Sequence, residues 1–480
     1  MGNVISTFTN DVLGNKDATA IAQAIANKEI SVQEVTEAAI ARAEKANPAL
    51  NAIVLRMYDD ARKFGGVAKG GLYGVPTFIK DSDNVAGYPT QLGTGAFKAK
   101  TAKRNSKFVG QFLSTGLNAL GKTTMPEFGL ICSTENERWG ITRNPWDTDY
   151  TTGGSSSGSA AMVASGAVPI ALANDGAGSI RIPAAICGLV GLKPTRNRLY
   201  GMDGAELMPL QLIHQGVLTR SVRDTALFYA EAEKHHANAK LPKLGYIDGP
   251  NKQRLRIAFY NNMAPGKVGH QDADTYRVQL ETAKLLESLG HTVEQITLPI
   301  DADVMANYFL HYYGFLSYML SYWSRFTLKS NVDRTVLEPF TTGLADRFRT
   351  SKAKLFESIG IMRKMGAAAE KDLEKYDLIM TPTLAHKTPK IGHFSPLLTS
   401  EEVTKRAVHF ASYTGLNNVT GSPAISLPLG TDADGMPLGV HFIAPYGNDK
   451  RLIELAYELE QTRPWATLYN ATNTKQVAAV

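Results

Sequence analysis

The residues best suited to chemistry lie in one stretch, residues 153–194, which is rich in glycine and serine. Two loops of small residues, 153–159 and 176–179, enclose an apolar segment at 160–173. Dense glycine indicates a backbone that turns tightly or approaches another group closely, and successive N–H groups in such turns bind negative charge. A serine at the end of such a loop is a candidate nucleophile with donors for an oxyanion beside it. A flexible linker would not carry so apolar a segment, so we expect a folded site.

A base for such a serine is offered by Lys80, which ends the apolar run VPTFI at residues 75–79. Burial disfavours the charged form of a lysine, so its pKa falls and the neutral amine can accept a proton. A lysine at the end of a strand can equally keep its ammonium group in water while its stem packs on apolar neighbours. On the residues alone, both interpretations stay open.

Residues 153–194 (GGSSSGSAAMVASGAVPIALANDGAGSIRIPAAICGLVGLKP) resemble the signature of the amidase signature family of serine hydrolases. Four further segments, GVPTFIKD, LGKTTMPEFG, RNPWD and YDLIMTP, resemble other landmarks of that family in the expected order. The resemblance implies a Ser–Ser–Lys triad, with Ser179 as nucleophile, Ser155 as the bridging serine after a cis peptide, and Lys80 as base. It also implies an oxyanion hole formed by the N–H groups of Gly176, Ala177, Gly178 and Ser179. The residues implied to support the site are Ser156, Asp175 and Arg181.

The chain departs from the family pattern at two places. Ser157 stands where the family has glycine, and NDGAG at residues 174–178 replaces TDTGG. The forms NDGAG and RNPWD resemble the branch of the family that contains 6-aminohexanoate-cyclic-dimer hydrolase. The departures therefore bear on the substrate and leave the triad chemistry unchanged.

The resemblance implies an α/β fold, in which a large mixed β-sheet is covered by α-helices on both sides. The strand–helix–strand order near residues 254–299 independently indicates a sheet with parallel pairs. We expect one domain over residues 1–480. Its predicted parts are N-terminal helices at 1–65, a signature core at 66–230, a variable substrate-side region at 231–375, and C-terminal strands and a helix at 376–466.

Residues 308–326 form the most aromatic part of the chain, with nine aromatic residues, no acidic residue and the single basic residue Arg325. Apolar residues recur there at steps of three and four, which predicts a helix that is apolar on two faces. Such a helix either packs in the core or lines a ligand cavity, and the sequence leaves both open. The predicted substrate-binding residues are Gly129, Asn174, Tyr308, Tyr312 and Phe315.

Composition and charge exclude several classes of protein. Lys and Arg number 51 against 45 Asp and Glu, a net charge of +6 without long runs of like charge, so we expect no nucleic-acid partner. Two cysteines, Cys132 and Cys187, cannot build a disulfide framework, which favours the cytoplasm. No signal peptide or bilayer-length apolar run is present, so no stable membrane association is expected. Gly2 and Ser6 match an N-terminal acylation pattern, and whether Gly2 is acylated stays open.

Two motifs suggest cofactor or metal sites that their contexts do not support. GLNALGKT at residues 116–123 satisfies a phosphate-loop pattern, but its apolar residues put a strand between the glycines rather than before them. The paired histidines His235 and His236 lack other ligands at suitable spacing. We therefore expect no metal and no cofactor.

These observations together predict an amidase that cleaves a carboxylic amide through an acyl-enzyme on Ser179, acting on linear amides with apolar, aryl or aliphatic groups. The partner would be the small-molecule amide itself, and a homodimer is left open. Three alternatives remain: a hydrolase of cyclic amides similar to 6-aminohexanoate oligomers, an amidotransferase A-type subunit, and a non-catalytic relative that only binds ligands.

Overall fold

A computed structural model describes residues 2–66, 70–261, 268–297 and 302–471. Its described strands are β1 (Ile53–Arg56), β2 (Pro76–Lys80), β3 (Asn118–Thr123), β4 (Glu135–Asn136), β5 (Gly140–Ile141), β6 (Ile170–Asp175), β7 (Val190–Lys193), β8 (His214–Thr219), β9 (Arg256–Tyr260), β10 (Thr292–Ile296), β11 (Leu378–Pro382), β12 (Ala424–Thr431) and β13 (Pro437–Ile443).

The described α-helices are α1 (Ala18–Ala26), α2 (Val32–Leu50), α3 (Tyr58–Arg62), α4 (Lys107–Ser114), α5 (Ser157–Ala164), α6 (Arg181–Cys187), α7 (Val222–His235), α8 (Ala273–Ser288), α9 (Ala302–Tyr322), α10 (Ser324–Thr327), α11 (Pro339–Arg349), α12 (Leu355–Leu373), α13 (Ser400–Phe410), α14 (Gly415–Thr420) and α15 (Asp449–Thr462).

Within the described ranges, eleven of these strands form one sheet in the order β1-β3-β2-β6-β8-β7-β12-β13-β11-β9-β10. The pairs β2–β3, β2–β6, β9–β10 and β9–β11 are parallel, and the other neighbours are antiparallel. The mixed sheet and its covering helices confirm the predicted α/β class. Strands come from all four predicted parts of the chain, so the parts share one sheet.

Two neighbouring strands bring the predicted base to the signature loops. Every residue of β2 is buried, as expected for a strand that is covered on both faces. It runs parallel to β6 with Thr77 opposite Ile170 and Phe78 opposite Ala171. Because parallel strands end at the same edge of a sheet, Lys80 at the end of β2 meets the end of β6 and the loop that follows it.

The predicted aromatic helix is present as α9, and it packs against α11 and α12. The strand predicted inside the phosphate-loop pattern is also present as β3. Its Lys122 forms a buried ion pair with Asp81, with 2.6 Å between Nζ and Oδ1. That lysine is therefore committed to a structural pair rather than to a phosphate.

Candidate active site

The Lys80 side chain is fully buried at the end of β2 and contacts two polar side chains. Its Nζ lies 2.7 Å from Ser155 Oγ and donates to Asn174 Oδ1 over 2.7 Å. Ser155 belongs to the loop that precedes α5, and Asn174 is the penultimate residue of β6. The structure therefore brings together two of the three predicted triad members.

Burial lowers the pKa of Lys80 to about 7, while the charges of Asp83 and Asp175 oppose the shift. Neither carboxylate forms an ion pair with the amine in the described part of the chain. A group with a pKa near 7 is suited to general base catalysis at neutral pH. The interpretation of Lys80 as a solvent-exposed cation is wrong, because β2 is covered on both faces.

The loop that carries Ser155 is held against its neighbours by backbone geometry. The Gly154–Ser155 peptide is cis, as the resemblance implied. Gly129 has φ +69° and lies under the serine, since a Cβ added there would come 3.2 Å from Ser155 Oγ. Ser156 donates to Asn174 O over 3.3 Å and accepts from Asn174 N over 3.4 Å, which ties the loop to β6.

Ser179 lies between β6 and α6 and is 6% exposed. The carboxylate of Asp175 organises its loop, because it accepts hydrogen bonds from Gly178 N at 2.7 Å and Ile180 N at 3.2 Å. The prediction that Gly178 donates to an oxyanion is therefore wrong here, since its N–H already has this partner. Among the described residues, the N–H groups of three predicted donors have no acceptor, and these belong to Gly176, Ala177 and Ser179.

The buried side chain of Arg181 supports the same loop. It donates to both oxygens of Asp175 at 2.9 Å, and it also contacts Asn417, Asn418 and His441. Burial alone would raise the pKa of Asp175, but the guanidinium and the hydrogen bonds hold it well below its usual range. The carboxylate thus stays ionised and fixes the positions of the backbone N–H groups around Ser179.

An apolar cavity of about 190 Å³ opens on Ser179. Gly129 and Ala177 line it beside the serine, and α9 contributes Phe309, Leu310 and Tyr313. Among the described residues, the lining carries no charged side chain, and its other members are Leu130, Ile131, Cys132, Ile182, Tyr260, Val268, Gly269, Ala302, Met305, Ala306, Phe340, Thr381, Ala407, Val408, Ala411, Ser412, Tyr413, Gly415, Leu416 and Ile443.

The three aromatic residues predicted to bind substrate lie on another face of α9. Tyr312 is buried and exchanges hydrogen bonds with the backbone of Leu210, while Tyr308 donates to Glu357 over 3.0 Å. Phe315 packs with these residues in an apolar cluster that also contains Met362 of α12. None of the three lines the cavity. Because α9 is apolar on two faces, the sequence could not show which face meets the site.

Asn174 was predicted to bind substrate, yet its side chain contacts Lys80 and Ser82 and does not line the cavity. Ser82 donates to Asp83, which also accepts from Ser106 and Gln215. None of Ser82, Asp83, Ser106 and Gln215 was predicted as a site residue from the sequence. The signal was the polar cluster DSD directly after Lys80, which is unusual next to a fully buried strand.

Among the described residues, no group of three or more histidine, cysteine or acidic side chains could hold a metal ion. No described helix is long and apolar enough to cross a bilayer. Cys132 and Cys187 are buried free thiols whose pKa is raised by burial.

Comparison with known proteins agrees with this geometry. The family model described as Amidase matches residues 34–453. The putative amidase AmiC of Mycobacterium tuberculosis is 44% identical over 468 residues, which cover 97% of this chain and 98% of the relative. The 6-aminohexanoate-cyclic-dimer hydrolase of Paenarthrobacter ureafaciens is 32% identical over 494 residues, with 94% and 95% covered.

A solved structure of 6-aminohexanoate cyclic dimer hydrolase complexed with substrate has a TM-score of 0.84 at 29% identity and covers 95% of this chain and 99% of its own. The match thus extends from the signature loops to the whole sheet and its helices. On the strength of the family model and these relatives, the chain belongs to the amidase signature family of amide hydrolases.

Proposed function

We propose that this enzyme hydrolyses linear, uncharged amides with apolar acyl or aryl groups, through an acyl-enzyme on Ser179. The observation that carries the proposal is the pairing of a buried Lys80, 2.7 Å from Ser155, with an uncharged cavity that opens on Ser179. In this proposal Lys80 supplies the base, and the cavity selects the substrate.

In the acylation step, neutral Lys80 takes a proton from Ser155, and Ser155 takes the proton of Ser179 as its Oγ attacks the amide carbonyl. The tetrahedral oxyanion then accepts hydrogen bonds from the N–H groups of Gly176, Ala177 and Ser179, which have no acceptor among the described residues. The proton returns from Lys80 through Ser155 to the leaving nitrogen as the C–N bond breaks. Water attacks the ester by the same route and releases the acid.

Selectivity for uncharged, apolar amides follows from the cavity wall. Phe309 and Tyr313 stack with their ring centroids 5.3 Å apart and present a large apolar surface beside Ser179. A charged substrate would lose its hydration without gaining a partner in this lining. Each methylene that is buried against the wall would contribute roughly 0.8 kcal/mol, so longer acyl chains should bind better.

Hydrolysis of a cyclic amide is the second candidate. It is favoured by the similarity to 6-aminohexanoate-cyclic-dimer hydrolase, and an uncharged ring would suit the same uncharged lining. The two candidates differ in what they require of the leaving group. A ring amide keeps its amine tethered in the cavity, whereas a linear amide releases it.

The test is a panel of acetamide, hexanamide, an anilide and the cyclic dimer of 6-aminohexanoate, each incubated with the purified protein alone. We expect kcat/KM to rise from acetamide to hexanamide and the anilide. A higher value for the cyclic dimer than for either linear substrate would favour the second candidate.

The same experiment separates the remaining alternatives. An amidotransferase subunit would need its partner chain, so turnover by the purified protein would exclude that function. A non-catalytic relative would turn over no substrate and would not be labelled by a serine-reactive phosphonate. Failure of both readouts would overturn the proposed function.

A further inference from the structure

A continuous row of hydrogen bonds runs from Lys80 away from the cavity. Lys80 Nζ donates to Asn174 Oδ1 over 2.7 Å, and Asn174 Nδ2 donates to Ser82 Oγ over 2.8 Å. Ser82 Oγ then donates to Asp83 Oδ2 over 2.8 Å. All four side chains are buried, so water does not compete for these bonds.

The row has a direction, and its last member sets it. Asp83 accepts hydrogen bonds from Ser82, Ser106 and Gln215, as an ionised carboxylate does, so the single hydrogen of Ser82 is donated to Asp83. The Ser82 oxygen can then only accept, so Asn174 turns its NH₂ group towards Ser82 and its carbonyl oxygen towards Lys80. The amine donates one hydrogen to that oxygen, so its lone pair stays free to accept the proton of Ser155.

We propose that Asp83 is a positioning residue, which acts through Ser82 and Asn174 to keep the lone pair of Lys80 aimed at Ser155. The inference rests on the proposed function of Lys80 as the base. It also gives Asn174 a role different from substrate binding. Without a carboxylate at the end of the row, Asn174 can rotate and present its NH₂ group to Lys80, and the lone pair is then occupied.

The charges around the row define its pH dependence. Lys80 faces Asp83 and Asp175, both of which favour its protonated form, and Asp175 is paired with Arg181. Asp83 faces the charge of Lys122, which is itself paired with Asp81, and it accepts from Ser106 Oγ and Gln215 Nε2. Burial raises the pKa of Asp83, and these hydrogen bonds oppose the rise.

The first variant, Asp83→Asn, keeps the shape of the side chain but removes the charge and allows the group to donate. We expect kcat to fall by about tenfold or more, because the orientation of Lys80 is no longer enforced. The acidic limb of the pH–rate profile should also move to lower pH by about half a unit to one unit, since a nearby negative charge has been removed.

The second variant, Ser82→Ala, breaks the row but keeps the carboxylate. Its kcat should also fall. Its acidic limb should stay within about a few tenths of a pH unit of the wild-type position, because the charge of Asp83 is unchanged. A matched control is Asp224→Asn, which alters another fully buried carboxylate, one that lies on α7 and accepts from the N–H groups of Ala18 and Thr19. Its acidic limb should coincide with that of the wild type.

Rates of labelling by a serine-reactive phosphonate across the pH range give a second readout, which reports on Ser179 without amide turnover. The proposal is overturned if the maximal kcat of Asp83→Asn equals that of the wild type. It is also overturned if the acidic limb of its pH–rate profile moves no more than that of Asp224→Asn. If Asp83→Asn does not fold, a maximal kcat for Ser82→Ala equal to that of the wild type is sufficient to overturn the proposal. Activity that survives Ser179→Ala would instead refute the proposed function, so the two failures are distinguishable.

Discussion

The buried lysine makes the stability of this enzyme depend on pH in a way that one substitution can isolate. The perturbation is Lys80→Met, which keeps the length and the apolar stem of the side chain but removes the ionisable group. Folding lowers the pKa of Lys80 from 10.5 to about 7. Between these two values the unfolded chain binds more protons at this residue than the folded chain does, so the stability of the wild type rises with pH.

The size of the effect follows from the width of that window. Between pH 6 and pH 10, Lys80 is protonated in the unfolded chain but not in the folded chain over about three pH units. Each unit changes the free energy of unfolding by ~1.4 kcal/mol, so the total change is about 4 kcal/mol. The unfolding entropy of ~2.1 cal/mol/K per residue corresponds to roughly 1 kcal/mol/K for this chain, so Tm should respond by about 4 °C. The buried Lys193, whose pKa also lies well below its usual value, is present in both proteins and cancels.

The assay is thermal melting of both proteins in matched buffers from pH 6 to pH 10, with the Tm of the variant subtracted from that of the wild type. We expect the difference to move in favour of the wild type by about 4 °C as the pH rises. The lost contacts to Ser155 and Asn174 shift the difference by a constant and leave its slope unchanged. A difference that is flat across the range would show that Lys80 does not titrate near neutral pH, and the catalytic role built on a neutral amine would fall with it.

Four further outcomes are expected. Ser179→Ala should reduce hydrolysis by a factor of about 10³ or more with the Tm retained, and more than a few per cent of residual activity would contradict its role. Phe309→Ala should lower kcat/KM for hexanamide by about tenfold while acetamide is little affected, whereas Tyr308→Phe on the other face of α9 should change neither. Gly129→Ala should lower kcat by roughly tenfold, because φ is +69° there and the new methyl group would crowd Ser155. Chelators should leave the rate unchanged, and inhibition that zinc reverses would disprove a metal-free mechanism.

Much of this architecture could be predicted because it depends on short contiguous segments of the sequence. The signature loops and the apolar run before Lys80 are contiguous, so resemblance and burial pointed to the same residues. The mixed α/β sheet is confirmed, and the amidase family is confirmed by the match over residues 34–453. The cytoplasmic location stays a prediction, and the oligomeric state stays open.

The predictions that were wrong concern the substrate-binding face of α9 and the N–H of Gly178, and both depend on tertiary contacts. The choice between the two apolar faces of α9 depends on α12, whose Met362 packs in the cluster of Tyr312 and Phe315, and that helix is not signalled near residues 308–322. The N–H of Gly178 was assigned to the oxyanion because of its place in the loop, but the carboxylate of Asp175 folds back onto it. A side chain that bonds its own loop competes with a ligand for the same donor, and a pattern of residue types does not show which of them succeeds.

The behaviour of Lys80 depends on what its two nearest carboxylates are bonded to. A carboxylate in direct contact would hold the amine protonated and destroy the base. Asp175 is instead occupied by Arg181 and by the N–H groups of its own loop, and Asp83 is separated from the amine by Ser82 and Asn174. Both charges therefore moderate the effect of burial without forming an ion pair, and the pKa of Lys80 comes to about 7. The polar network around Lys80 thus sets the protonation of the proposed base, while the proposed preference for apolar amides depends on the cavity that opens on Ser179.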